Sequence, residues 1–119
     1  MSAAATLTEA GIITTGRTVL ARLAADDFSW PSSEAACTSL KVCRDGLEES
    51  LEDYEDVKAG RVHPGRLFPE LEHDDDAHDT GLRRLADDVR AWARAAVEVV
   101  AWHLGHEAAE ALKAAEGKA

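Results

Sequence analysis

The spacing of apolar residues along the chain predicts helices and no sheet. In three segments apolar residues recur at steps of three and four, which places them on one face of a helix. Few runs alternate with the period of two that a half-buried strand shows. We therefore expect an all-α, three-helix (up-down-up) bundle that forms one domain over residues 1–119, with helices over about 6–26, 32–59 and 79–116 and a long loop over 60–78.

The first two helices carry start and stop signals. Thr6 and Glu9 have the spacing of a capping box, so the first helix is predicted to begin at Thr6. Ser32 or Ser33 is the predicted cap of the second helix, and Gly60 follows its end. The core-facing stripe of the second helix is predicted to contain Ala36, Leu40, Cys43, Leu47, Leu51, Tyr54 and Val57.

The third helix is predicted to be long and apolar on two sides. Asp79 or Thr80 is its predicted cap, and Gly105 is a point at which it kinks or ends. One apolar seam contains Leu82, Leu85, Val89, Trp92, Ala96 and Val99, and the second contains Ala93, Val97, Val100, Leu104, Ala108 and Ala111. Two adjacent seams indicate a helix that packs against neighbours on more than one side.

The unequal lengths of the helices predict self-association. A third helix over 79–116 would be roughly 57 Å long, whereas the first helix would cover only about 30 Å of it. Part of the apolar surface would then have no cover within the chain. A symmetric homodimer that packs two long helices together would bury that surface, so we expect a homodimer.

The loop over 60–78 is longer than most connections in helical bundles. Pro64 and Pro69 exclude a continuous helix through it. Because Leu67, Phe68 and Leu71 are apolar, the first half of this loop is expected to be pinned to the body of the protein.

The net charge of the chain limits the classes of partner that it is expected to bind. The 119 residues contain 23 acids and 13 bases, a formal net charge of −10, which disfavours direct nucleic-acid binding. An acidic mimic of DNA that inhibits a nucleic-acid binder stays as a weaker alternative. The start of the chain lacks the features of a signal peptide and no apolar run is long enough to span a bilayer, so we expect a cytoplasmic protein without membrane contact.

Opposite charges mark the facing ends of the second and third helices. The second helix ends with a run of acids, and the third begins with arginines, namely Arg83, Arg84, Arg90 and Arg94. If these helices are antiparallel neighbours, the arginines are expected to pair with the acids and set the register of the two helices. Each exposed pair contributes only about 0–1 kcal/mol.

Four carboxylates form a pattern that is typical of a metal site. Glu49 and Glu52 form E-x-x-E, and Glu72 and Asp75 form E-x-x-D after nineteen intervening residues. This order resembles the metal-binding pattern of the MazG-like all-α nucleotide pyrophosphohydrolases. The resemblance implies carboxylates that hold Mg²⁺ against nucleotide phosphates inside a helical oligomer. The chain departs from the family because Glu72 and Asp75 follow Pro69 in the loop. This metal-dependent enzyme is the alternative function.

Histidines form two further candidate sites. His73 and His78 flank three aspartates in the loop, and imidazoles with carboxylates bind Zn²⁺, Ni²⁺ or Mn²⁺. The same acids also suit a hydrated segment before a helix N-terminus. His103 and His106 share a face of the third helix, where they could pair as metal ligands. They also extend the apolar seam that ends at Val99, which favours a place in the bundle interior or in a dimer interface.

These observations favour binding over catalysis. No nucleophile elbow, glycine-rich phosphate loop or Ser–His–acid pattern occurs, so we assign no catalytic residue and no cofactor besides the possible divalent metal. We expect a non-catalytic protein–protein interaction module that binds itself and another protein. Its predicted partner-binding residues are Phe68, Trp92, Val99, Trp102, His103 and His106.

Overall fold

A computed structural model describes residues 8–114 of the protein, apart from the side chains of His106, Lys113 and Ala114. Over these residues the chain contains helices and no strand, which confirms the predicted all-α class. Five helices pack against one another. They are α1 (Glu9–Ala24), α2 (Glu34–Lys58), the short α3 (Pro64–Leu67), α4 (Ala77–Leu104) and α5 (His106–Ala114), and a 3₁₀ turn at Pro69–Leu71 precedes α4.

Side-chain caps set the beginnings of the first two long helices. The backbone N–H of Gly11 donates to Oγ1 of Thr8 at 3.0 Å, so the cap of α1 is Thr8 and not Thr6, which lies outside the described residues. The predicted cap of α2 at Ser33 is confirmed, because its Oγ accepts from the N–H of Ala36 at 3.3 Å. Each hydroxyl satisfies a backbone donor that the helix itself leaves unpaired.

The start of α4 differs from the prediction. The helix begins at Ala77, and its N-cap Asp76 makes no side-chain capping hydrogen bond. The predicted caps Asp79 and Thr80 therefore lie within the first turn of α4. Ala77 is buried, so packing extends the helix by a turn that the capping signals do not indicate.

The third predicted helix, over about 79–116, is divided at Gly105, which the sequence marks as a point where it kinks or ends, and two helices follow one another up to Ala114. Gly105 has φ of +95°, a backbone conformation that side chains with a Cβ rarely adopt, and α4 ends there. After this break α5 packs against both α4 and α1. Ala109 and Leu112 of α5 are buried in the core, so α5 covers apolar surface that a straight helix would leave open.

The predicted loop over 60–78 holds α3 and the 3₁₀ turn. His63 caps α3, since its Nδ1 accepts from the N–H of Gly65 at 2.9 Å. Leu71 is buried, and Leu67 and Phe68 pack against the core. The expectation that the first half of this segment is pinned to the body is therefore confirmed.

The core lies where α1, α2 and α4 meet. Gly16 allows the close approach of α1, since a Cβ at this position would lie 2.4 Å from Cγ1 of Val89 and 3.5 Å from Cδ1 of Leu47. Both side chains are fully buried. Cys43 joins this core, and burial raises the pKa of its thiol.

Among the described helices none has both the length and the apolar content needed to cross a membrane.

A buried tyrosine ties α1 to α2. The hydroxyl of Tyr54 donates to Oε2 of Glu9 at 2.9 Å, and the tyrosine is only 2 % exposed. Burial, together with the hydrogen bond to the Glu9 carboxylate, raises the pKa of Tyr54 to about 12. The phenol therefore stays a neutral donor over the physiological range, which preserves this link between the two helices.

Candidate functional site

The predicted carboxylate site is spread over exposed positions. Glu49 and Glu52 are exposed on α2, and Glu72 and Asp75 are exposed after the 3₁₀ turn. Within residues 8–114 the structure gathers no group of three or more His, Cys, Asp or Glu side chains that could hold a metal ion. The four-carboxylate metal site and its nucleotide chemistry stay predictions.

The predicted histidine site lies at the entry to α4. His73 and His78 are both exposed, the first before the helix and the second in its first turn. Between them, Oδ1 of Asp74 accepts from the backbone N–H of Asp76 at 2.8 Å, which is a local turn of the Asx type. The side chain of Asp74 thus stabilises the turn before α4, and metal binding by the two histidines stays a prediction.

The acids of α2 take other partners than those predicted. Arg17 of α1 pairs with Glu55 at 2.8 Å, and Arg61 pairs with Asp56 at 2.9 Å. In the described part of the chain the arginines of α4 form no ion pair with α2, and Arg84 instead pairs with Glu70. The predicted pairing is therefore wrong, and Glu55 and Asp56 instead have partners on α1 and in the segment that follows α2. All of these pairs are exposed and contribute little stability.

An open groove of about 460 Å³ lies beside the two ion pairs of α2. It runs between α1 and the second half of α2, and Glu48 and Glu52 line it together with Leu20 and Leu51. The groove contains one member of the predicted E-x-x-E pair, Glu52, whereas Glu49 is not among its lining residues.

Two tryptophans have structural settings that differ from each other. The indole N–H of Trp30 donates to the carbonyl of Leu23 at 3.1 Å, and the guanidinium of Arg44 lies 5.4 Å from the ring centroid. Trp92 is half-buried and rests on Gly46 of α2, where a Cβ would come within 2.3 Å of its ring. Because Gly46 has no side chain, the Trp92 indole can pack between α2 and α4 at this position.

The large apolar side chains with the highest exposure lie on the two longest helices. Trp102 is 84 % exposed near the end of α4, and Val42 is 54 % exposed on α2. Val99 is half-buried and His103 is exposed. His106 begins α5, and its side chain lies outside the described part of the structure.

Phe68, the remaining predicted partner-binding residue, lies elsewhere. Its ring packs on the core, and the guanidinium of Arg84 lies 5.3 Å from the ring centroid. Arg84 and Trp102 are eighteen residues apart on α4, which separates them by roughly 27 Å along the helix axis. Phe68 and Trp102 therefore do not share one surface patch.

The residues around Trp92 define a surface that we call the outer face. Val42, Gly46, Glu49 and Asp53 follow one another on α2 at steps of four and three. On α4 the same steps connect Asp88, Trp92, Ala95, Val99 and Trp102. The contact of Gly46 with Trp92 joins the two rows, whereas α1 approaches α2 and α4 from the side of Leu47, Leu51 and Val89.

Val42, Gly46 and Asp88 of the outer face were not among the residues predicted from the sequence. For Val42 and Gly46 the sequence does contain a signal. Val42 is an apolar residue that falls outside the core-facing stripe of its helix, and Gly46 is a glycine in the interior of a helix. Such a glycine weakens a helix unless a neighbour uses the space that its missing side chain leaves.

Carboxylates at one end of the outer face are partly desolvated. Burial raises the pKa of Asp53, and the nearby carboxylates of Glu49, Asp56 and Glu52 raise it further. Burial also raises the pKa of Asp88, with a smaller effect of Asp87. In both cases the surroundings disfavour the charged form and supply no base to offset it.

These shifts predict how stability depends on pH. Because the folded-state pKa of Asp53 and Asp88 is raised, their contribution to stability is present below the unfolded pKa and is lost as the pH rises through the folded pKa. We expect Asp53→Asn and Asp88→Asn to raise the melting temperature near pH 7. Near pH 3 each variant should melt within error of the unmodified protein. Circular dichroism melts at both pH values measure this.

Glu70→Gln serves as the control of opposite sign. The hydrogen bond from Arg84 lowers the pKa of Glu70, so its contribution is present above the unfolded pKa and is lost as the pH falls. This variant should not gain stability near neutral pH. Equal shifts of the melting temperature in all three variants would contradict the assignment of desolvated carboxylates to the outer face.

Comparison with known proteins gives no relative from which a site could be transferred. No family model, no curated protein and no solved structure matches the chain.

Proposed function

We propose that the protein is a non-catalytic helical interaction module that binds a protein partner through the outer face. The observation that supports this most strongly is the 84 % exposure of Trp102. A tryptophan that becomes buried removes about 150–250 Å² of surface from water, and tryptophan is enriched among the residues that dominate binding energy. Val42, at 54 % exposure, adds a second apolar side chain to the same face.

The contacts between helices support an up-down-up arrangement of α1, α2 and α4. Glu9 near the start of α1 reaches Tyr54 near the end of α2, while Gly16 lies at Leu47. Gly46, near the middle of α2, meets Trp92 in α4. With α2 and α4 antiparallel, the turn of α2 that holds Val42 lies beside the turn of α4 that leads to Val99. The apolar half of the outer face is then continuous from Trp92 to Trp102.

Self-association stays a prediction, but the surface that would form the dimer contact differs from the one expected from the sequence. The predicted homodimer would bury an uncovered end of a long third helix, but α5 packs back on α4 and α1 and buries Ala109 and Leu112. A homodimer would therefore use the outer face instead of that end. Sedimentation over a range of concentrations measures whether it forms.

A selection from a displayed library of helical peptides tests the proposed function. The full chain is immobilised, enriched peptides are synthesised, and their Kd values are measured. We expect Trp102→Ala to weaken these peptides by about 30-fold, the size of a binding hot spot, and Val42→Ser to weaken them less. Trp102 is exposed, so its replacement should leave the melting temperature unchanged.

Ala101→Ser is the matched control, because Ala101 is also exposed, precedes Trp102 and lies about 100° away around the helix. This variant should retain the Kd of the unmodified protein. Peptides whose affinity is unaffected by Trp102→Ala and Val42→Ser would show that the binding surface lies elsewhere, and the proposed function through the outer face would be rejected.

A further inference from the structure

The outer face combines an apolar half with an acidic half. Val42, Val99 and Trp102 belong to the first, and the carboxylates of Glu49, Asp53 and Asp88 belong to the second. The base one helical turn before Asp88 on the same side of α4, Arg84, pairs with Glu70, and its guanidinium lies over the ring of Phe68. Arg90, two residues after Asp88, lies about 200° away around the helix. In the described structure these three carboxylates form no ion pair within the chain, so a partner that covers the face must supply the opposite charge.

The inner side of the same helix pair shows what kind of element fits. There α1 packs against α2 and α4 and inserts Ile12, Val19 and Leu23, which follow helical spacing. Two helices packed side by side leave a groove between their ridges, and a third helix is the element that fills it. A helix on the outer face would occupy the corresponding groove and complete a four-helix arrangement.

We infer that the occupant of the outer face is an amphipathic helix of a partner protein, with an apolar stripe beside lysines or arginines. This inference rests on the proposed function. The apolar stripe would cover Trp92, Val99 and Trp102, and the basic residues would approach Glu49, Asp53 and Asp88. The row from Trp92 to Trp102 spans about 15 Å, which three turns of helix cover.

A second copy of this chain fits the charges less well. Its outer face would bring the same carboxylates, and the two rows of residues that define the face contain no lysine or arginine. Carboxylates that lose water without gaining a base oppose association. A basic helix avoids this cost and is also attracted at a distance by the net charge of −10.

Three synthetic peptides test the inference. Each is an alanine-based helix of about 16 residues with the same leucine stripe, which keeps its helical content comparable. The residues beside the stripe are all lysine, all glutamine or all glutamate. Isothermal titration of the full chain gives their Kd values in about 50 mM and 300 mM NaCl, since salt screens exposed charges. We expect the lysine peptide to bind at least about tenfold tighter than the glutamine peptide at low salt, and the glutamate peptide not to bind.

Variants of the chain assign the preference to the outer face. Glu49→Gln/Asp88→Asn removes two of the three carboxylates and should remove most of the advantage of lysine over glutamine while the glutamine peptide still binds. The control Asp75→Asn/Asp79→Asn removes the same net charge from exposed positions near the start of α4 and should retain most of the advantage. Trp102→Ala should weaken the lysine and the glutamine peptide alike.

The outcomes separate the inference from the proposed function. Equal affinity for the lysine and glutamine peptides, still lost with Trp102→Ala, would overturn the basic occupant and leave the interaction module standing. If the protein forms a homodimer that dissociates with Trp102→Ala, the occupant of the outer face is a second copy of the chain, and the inference of a basic partner helix is overturned. If none of the three peptides binds while a display-selected peptide does, the inference fails alone. If no peptide from either source binds, both fail.

Discussion

Leu47→Ala is expected to lower the free energy of unfolding by about 2–5 kcal/mol. Leu47 has no exposed surface, and its Cδ1 lies where α1 approaches α2 at Gly16. Truncation removes apolar contacts with more than one helix and leaves a cavity that neighbours fill only in part. Chemical denaturation monitored by circular dichroism gives the change in the free energy of unfolding.

Val42→Ala is the control for this substitution. It shortens an aliphatic side chain on the same helix, at a position that is 54 % exposed, so it should change the free energy of unfolding by less than about 0.5 kcal/mol. Similar losses in the two variants would contradict the core described for α1, α2 and α4. The pair also separates roles, because Val42 is expected to affect binding and Leu47 to affect stability.

Gly46→Ala is expected to destabilise the protein by about 1–3 kcal/mol, the cost of forcing extra atoms into a packed site. On an exposed helix the same substitution would stabilise by about 1 kcal/mol through helix propensity. Here the new Cβ would lie 2.3–2.7 Å from three atoms of the Trp92 indole, so the ring must shift away from α2. The substitution therefore also alters the outer face.

A double-mutant cycle tests this explanation through the sign of the effect. In the background of Trp92→Ala the indole is gone, and Gly46→Ala should now stabilise by about 1 kcal/mol. The four proteins of the cycle are compared by chemical denaturation. If Gly46→Ala has the same effect in both backgrounds, the steric conflict with Trp92 is not its cause.

Apolar periodicity was sufficient to predict the helical class and the bulk of the three long helices. Every residue of the predicted stripe on α2 is buried, from Ala36 to Val57. The stripe can be predicted because a helix that packs on one side has apolar residues at regular helical spacing in its sequence. Periodicity left open whether the third helix is continuous, because two conformations carry the same periodicity. Around Gly105 a straight helix and a broken one have identical spacing, and burial of Ala109 and Leu112 in the core favours the break.

Less of the outer face than of the fold could be predicted from the sequence. Trp92, Val99 and Trp102 were predicted from helical spacing, and the structure places them along one row of α4. Spacing alone could not tell that Trp92 rests on Gly46 while Trp102 is exposed, because this depends on the neighbouring helix. The charge pattern also assigned the arginines of α4 to the acids of α2, whereas Glu55 and Asp56 pair with Arg17 and Arg61 through contacts that the one-dimensional pattern does not contain.

Three indole N–H groups allow the central claim to be tested in one measurement. The chain contains three tryptophans, two of them on the outer face and the third, Trp30, held by its hydrogen bond to the carbonyl of Leu23. Titration of the ¹⁵N-labelled protein with the lysine peptide should shift the indole resonances of Trp92 and Trp102 and leave that of Trp30 in place. Unchanged resonances of Trp92 and Trp102, with shifts instead at the backbone amides of the groove beside Arg17 and Glu52, would contradict binding at the outer face.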